Sequence, residues 1–318
     1  MIAGLYYDTS MYLMGQARGQ LYILTHTITF AEFAEKNELT ERQVENLEQI
    51  EKIKKYAIDS LAYKATSNYN FIYNQQNAPS LWVITASEPY RLNAYYWNFP
   101  IVGKVSYKGF FDEKKAKAAF NHLRCLGYDV DLREVSAWST LGWFSDPIMS
   151  NSLNRSKAEM CDLLFHELFH ATYYKANAVN LNENLASFIA EKATIKYLQK
   201  DTFAIRKYLN DKKEREIINA FILNEANELR KYYDTISEKT DRNILKLKRI
   251  YQIAERLKNI QLGNQQLIQY HVKSMMEQKN AYFIDFEQYN SLQDSLEQVF
   301  NKFYKGNLKK LVQDLKQN

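Results

Sequence analysis

His166-Glu167-Leu168-Phe169-His170 is an H-E-x-x-H pattern, and Glu183 follows its second histidine by thirteen positions within Leu181-Asn182-Glu183-Asn184-Leu185-Ala186. On a helix, positions i and i+4 lie one above the other, so His166 and His170 can aim both imidazoles at one metal while Glu167 stands beside them. Two neutral imidazoles and one carboxylate leave a zinc ion an open fourth position for water, which suits hydrolysis better than a closed structural site. Glu183 is the preferred third ligand. Its alternatives are a cap, since Asn180-Leu181-Asn182-Glu183 also reads as a helix N-terminus, and replacement by Glu191, which lies eight positions further along the same helix and points off at an angle.

The flanks predict a helix without help from the motif. Ser156-Lys157-Ala158-Glu159 has the form of a capping box, with the helix starting at Lys157. From Met160 to Ala171 the apolar residues cover most of the circumference, which marks the helix as buried. Two histidines and a glutamate inside it need partners, and one metal ion satisfies several of them.

Working outward, 318 residues suffice for one large domain or two modest ones. With 46% hydrophobic residues but only 9 Gly and 4 Pro, the chain reads as globular and largely helical. The net charge of +5 is spread along the sequence, so the short basic runs near Lys54 and Lys248 read as solvated helix faces and no nucleic-acid partner is expected. Two cysteines, Cys125 and Cys161, are too few for a disulfide framework and are expected to be buried thiols. No run approaches the length of a transmembrane helix. The first residues carry no basic region, long apolar run or lipidation cysteine, so no targeting segment is visible.

Before the central helix, Tyr6 to about Thr27 and Phe30 to Tyr63 read as helices, with Thr40-Glu41-Arg42-Gln43 a helix start. Phe71-Ile72-Tyr73 and Leu81-Trp82-Val83-Ile84-Thr85 read as a hairpin joined by Asn74 to Pro79. Asn98 to Tyr107 is extended, Asp112 to Leu126 is a helix closed by Gly127, and Tyr128 to Val135 alternates like a strand. Ser136 to Pro147, with Thr140, Gly142, Trp143 and Asp146, reads either as a sheet edge beside the metal where extended peptide pairs, or as an aromatic plug over the core. After the Glu183 helix the texture is helical to Asn318: Glu214 to Thr235 and Lys239 to Asn259 suit a helical hairpin, and Leu292 to Leu315 reads as one closing helix. The fold class is therefore α+β, mostly helical and zincin-like, with a small sheet before the buried helix. The expected divisions are an N-terminal helical segment at 1–66, a catalytic core at 67–200 and a helical part at 201–318.

Several marks occur together and in order: Gly15-Gln16 through Gly19-Gln20-Leu21, Phe99-Pro100-Ile101-Val102-Gly103, Tyr107-Lys108-Gly109-Phe110-Phe111-Asp112, Ser139-Thr140-Leu141-Gly142-Trp143-Phe144, Asp146-Pro147, the H-E-x-x-H stretch and Asn182-Glu183. In these the chain resembles the bacterial predicted aminopeptidase family of gluzincin-type zinc peptidases, from about Tyr12 to Leu198 and more weakly onward. Lys108 stands where many members are expected to carry arginine. The resemblance implies a zinc ion held by His166, His170 and Glu183, with Glu167 as catalytic base. It also implies export to the periplasm or a lipid-anchored place at the bacterial envelope, on a signal or anchor that this chain does not show.

The chemistry expected is peptide hydrolysis by a zinc-activated water, with Glu167 moving its proton to the leaving amine. Tyr107 is the candidate oxyanion donor, because it belongs to a matched stretch; the plainer reading is an ordinary strand aromatic. Glu88 and Asp146 are candidates to receive a substrate's free amino group. The alternatives are an endopeptidase of the same chemistry and a non-enzymatic envelope binding protein whose metal stabilises the fold.

Overall fold

The structure, a computed structural model, describes residues 2–76, 81–99, 103–135, 145–237 and 241–317. Helix α1 (Ile2–Thr25) leads through strand β1 (Thr27–Ile28) and helix α2 (Phe30–Lys36) to α3 (Glu41–Leu61). Thr40 and Gln43 close a capping box at the start of α3, as their spacing predicts. Strands β2 (Ile72–Tyr73), β3 (Trp82–Ser87), β4 (Trp97–Phe99), β5 (Gly103–Val105) and β6 (Tyr107–Phe110) follow. Helix α4 (Glu113–Cys125) starts on an Asp112 cap and stops before Gly127, whose φ of +88° lies in the left-handed region that glycine adopts freely. Strands β7 (Asp129–Glu134) and β8 (Ile148–Met149) precede a 3₁₀ turn, Ser150–Asn154, and the central helix α5 (Lys157–His170). The rest is helical: α6 (Val179–Tyr197), α7 (Thr202–Thr235), α8 (Arg242–Lys258), α9 (Gln265–Gln278), α10 (Asn280–Asn290), α11 (Gln293–Tyr304) and α12 (Leu308–Gln317). The architecture is α+β and mostly helical, as the sequence implies.

The sheets differ from expectation in one respect. No hairpin joins the segments around Ile72 and Val83. Strand β2 pairs antiparallel with β1 and parallel with β8, whereas β3 pairs antiparallel with β6 and β7. The physical reason is burial: β3 is covered from Val83 to Ser87 and takes partners along both edges, while Ile72 is fully buried and sits opposite Ile28 and Ile148. Part of the expected turn, residues 77–80, lies outside the described residues. Strands β4 and β5 form their own antiparallel pair.

Other boundaries shift for local reasons. Helix α7 begins twelve positions before the expected Glu214, on an Asp201 side chain that accepts from the Ala204 amide. The closing segment is two helices, because Lys305 and Gly306 turn into the left-handed region between α11 and α12. Cys161 is buried as expected, but Cys125 is exposed on the last turn of α4.

Two of the apolar clusters hold most of the helices. In one, Phe165 and Phe169 of α5 pack with Ile50, Ile53 and Leu61 of α3 and Ile189 and Ala193 of α6, and α12 adds Leu311 and Val312. In the other, Ile222 and Leu229 of α7 meet Ile253 and Leu257 of α8, Met275 of α9 and Phe283 of α10. Helix α10 also touches α6, β3 and β7, so it connects the second cluster to the elements around the central helix.

Candidate metal centre

Helix α5 has two faces. Met160, Cys161, Leu164, Phe165, Leu168 and Phe169 are almost fully buried and pack into the first cluster. Glu159, Asp162, Leu163, His166, Glu167 and His170 recur at helical spacing and line a cavity of about 650 Å³. The helix starts on the expected capping box: Ser156 Oγ accepts from the Glu159 amide, and a Glu159 carboxylate oxygen accepts from the Ser156 amide at 2.8 Å. That cap fixes the phase of every later residue, including the two histidines.

Helix α6 brings the third group. It begins at Val179 with Ala178 as its cap, so Glu183 lies in its second turn and does not close the N-terminus. Asn182 holds the preceding turn instead, bonding both the amide and the carbonyl of Lys175 at 3.0 and 2.8 Å. Glu183 Oε2 lies 3.3 Å from His166 Nε2 and 3.6 Å from His170 Nε2, and the two Nε2 atoms are 3.0 Å apart. One ligand atom from each residue falls within 4.8 Å of the others, a spacing that can hold a metal ion. Glu191, the alternative ligand, pairs with Lys192 and Lys212.

The donor set fits a divalent cation. Two imidazole nitrogens and a carboxylate oxygen meet at one point, and without a cation only shared protons relieve the crowding of lone pairs. Burial raises the Glu183 carboxyl, but His170 and His166 outweigh it and hold the group well below the usual carboxylate range. Burial lowers the His166 imidazolium pKa, and the hydrogen bond to Glu183, followed by the charges of Glu167 and Asp162, carries it above the ordinary histidine value. Among the described residues, the buried His170 Nδ1 has no hydrogen-bond partner. Asp162, one turn before His166, accepts from Tyr208 Oη at 2.8 Å, and burial raises its pKa against that bond. Glu159 serves as the cap, the role expected of it.

Tyr107 lines the cavity, as do Tyr174 and Tyr289. Burial, then the Glu183 charge, raises all three phenols, so they remain O–H donors at neutral pH. On the strand side, Arg133 of β7 donates to Asp131 at 2.8 Å and to Asp285 of α10 at 2.7 Å. Strand β7 has β3 on one side and no further strand partner among the described residues. Its Arg133 and Glu134, with Val135 beyond, form one wall of the cavity.

Not every sequence candidate comes to this cavity. Glu88 lines a second cavity. Asp146 is buried and does not line the cavity; its carbonyl accepts from the Tyr69 amide and its carboxylate from Gln20. Thr140, Gly142 and Trp143 lie outside the described residues. Conversely, Asp285 and Tyr289 escaped the sequence reading, because they stand more than a hundred positions beyond the motif with no local mark. Tyr174 had one: it follows His170 by four positions.

Comparison with known proteins identifies a family for the chain. The family described as "Putative aminopeptidase" matches residues 11–317. No curated protein and no solved structure matches the chain. No helix among the described residues is long and apolar enough to cross a membrane.

Proposed function

The chain belongs to the aminopeptidase family whose description matches nearly all of it, and from that premise we propose that it is a zinc-dependent peptidase trimming peptides from the amino end. The observation that carries the zinc reading is the convergence of His166 Nε2, His170 Nε2 and Glu183 Oε2 on the floor of a cavity that Glu167 also lines. These three residues hold the ion. When bound, zinc supplies Lewis acidity toward a water and the scissile carbonyl.

The chain's own residues do the rest. Glu167 takes the proton of the attacking water and returns it to the leaving amine, the role its place beside His166 allows. Phenols kept protonated by burial, Tyr107 and Tyr174 foremost, donate to the oxygen that gains charge. Asp162 orients His166 from the preceding turn and is itself held by Tyr208. Strand β7, at the edge of its sheet among the described residues, offers backbone groups along one wall, where an extended peptide pairs. Glu134 is exposed at its end, within the cavity lining, and is better placed than Glu88 or Asp146 to meet a free amino group.

The test is zinc content together with hydrolysis of a mixed peptide library, for the wild type and Glu167→Gln prepared identically. One zinc in each, with turnover falling by roughly 10²–10⁴ in the variant, supports the reading. Zinc in both with equal or absent turnover sinks the peptidase mechanism. Cleavage inside N-terminally blocked peptides would replace amino-end trimming by internal cleavage.

A further inference from the structure

Two polar groups on the helical wall of the metal cavity take no part in the mechanism above. Ser187 follows Glu183 by four positions, one turn along α6 and on the same face, and Arg215 follows Tyr208 by seven, two turns along α7. Both are half-buried and line the cavity. The Arg215 guanidinium stands 5.3 Å from the centre of the Tyr208 ring, and Tyr208 donates to Asp162, one turn before His166. The positive charge of Arg215 is accordingly felt at Asp162, whose own charge reaches His166.

The protein itself uses neither group. Among the described residues Arg215 forms no hydrogen bond or ion pair, and the Ser187 hydroxyl forms no hydrogen bond. The cavity-lining carboxylates on this part of α5 are engaged elsewhere, Asp162 by Tyr208 and Glu159 by Ser156 in the cap. Nor are the two groups sealed in: the fully enclosed polar atoms that lack a partner belong to other residues, so a solute in the cavity can touch both. Arg133 of the same cavity shows the contrasting case, because it answers Asp131 and Asp285. An arginine kept only to balance internal charge closes on a carboxylate in that way. A guanidinium with its donors open, held against an aromatic ring on a wall that also carries a hydroxyl, suits a carboxylate brought in by a ligand.

We propose that Arg215 receives a carboxylate of the peptide on the leaving side of the cut, with Ser187 as a further donor on the same wall. The proposal rests on the peptidase reading above and narrows its substrate class. A helical turn from Asp162 to His166 rises about 5.4 Å, and an extended chain covers about 3.3–3.6 Å per residue, so the carboxylate lies one or two residues beyond the scissile bond. It is then the free C-terminus of a di- or tripeptide, or an acidic side chain next to the cut. Glu134, on the wall built by β7, meets the amino end.

The test uses the full chain loaded with zinc for turnover, and its Glu167→Gln variant, likewise loaded, for binding. The probes are alanyl-alanine, its C-terminal amide, and the amidated tripeptides Ala-Glu-Ala and Ala-Gln-Ala. In calorimetric titration of the Glu167→Gln protein, a carboxylate-bearing probe should bind roughly tenfold or more tightly than its uncharged counterpart, and wild-type kcat/KM should carry the same preference. A preference for alanyl-alanine over its amide assigns the C-terminus; one for Glu over Gln in the tripeptide assigns the side chain. Added to either protein, Arg215→Gln should bring the preference close to one with zinc content unchanged, Arg215→Lys should restore part of it, and Ser187→Ala should lower it a few-fold. If peptides are cut but charge makes no difference, or the difference survives Arg215→Gln, this proposal is overturned and the peptidase reading stands. If the binding preference follows Arg215 while no probe is cut, the carboxylate site stands and the peptidase reading fails by itself. Absence of both binding and turnover sinks both.

Discussion

At Asp129 and Lys246 the chain buries a charge pair away from any cavity described above; at His166, His170 and Glu183 it gathers three groups that meet one another on a cavity wall. Lys246 Nζ donates to both Asp129 oxygens at 2.9 Å, and the Asn280 amide adds a third bond to the same carboxylate at 3.1 Å. Burial lowers the Lys246 pKa, and the Asp129 charge opposes it. This pair joins β7 to α8 and α10, and it lines neither cavity. The histidine cluster has comparable burial but opens onto a large cavity, with its acceptor atoms facing one another. The difference separates scaffold from candidate site: a pair enclosed away from the cavities has nothing to offer a ligand, whereas convergent nitrogen and oxygen atoms beside a cavity could hold a cation.

The largest effect should come from breaking the closed pair. Lys246→Met leaves Asp129 charged in the interior and should lower unfolding stability by about 3–5 kcal/mol, read by urea denaturation, without changing zinc stoichiometry. Adding Asp129→Asn should recover part of the loss, since the neutral amide oxygen still accepts from Asn280. A single substitution with no cost would show that the pair is not the structural member of the comparison.

Removing metal attacks the open cluster instead. With free zinc near a hundred times its dissociation constant, chelation should cost about 2.7 kcal/mol of stability, visible as a lower melting temperature. Glu183→Gln should make the protein insensitive to the chelator. A chelator response that survives this substitution would place the ion elsewhere.

Asp162→Asn sharpens the site side further. If Asp162 orients His166, zinc affinity should fall by roughly 10–100-fold with the fold intact, measured by competition with a chromophoric chelator. Unchanged affinity would leave Asp162 only its bond to Tyr208.

The smallest effect is that of pH. In the metal-free protein the raised His166 pKa means that its protonated pairing with Glu183 stabilises the fold at acidic pH and is lost as pH climbs through that raised value. Zinc needs the neutral imidazole, so its affinity should run the other way and be weaker by roughly tenfold at pH 6 than at pH 7.5. An affinity flat across this range would contradict ligation by His166.

The sequence carried the central helix well. Ser156 and Glu159 mark its start, the apolar circumference marks its burial, and i, i+4 spacing puts both histidines on one face; each is a property of consecutive residues. Capping signals likewise located α3 and α4. Strand pairing was less legible, since Ile72 is as apolar as a hairpin partner would be, yet its neighbours come from Thr27–Ile28 and Ile148–Met149. Of the two glutamates, the sequence favoured Glu183 over Glu191, but it is the docking of α6 on α5 that turns Glu183 toward the histidines, while Glu191 meets Lys212 of α7.

By itself, then, the sequence determined the chemistry on offer, two imidazoles and a neighbouring carboxylate on one capped, buried helix, because helix geometry fixes the relation of residues four apart. The tertiary structure decided what that chemistry faces. Asp285 and Tyr289 of α10, Tyr208 of α7 and Arg133 of β7 reach the cavity from remote points of the chain. The same packing sends Glu88 to a second cavity with Gln288. No local pattern encodes those meetings, because burial of apolar faces on α10 and α6 sets which elements touch, and the polar residues between them are carried into place.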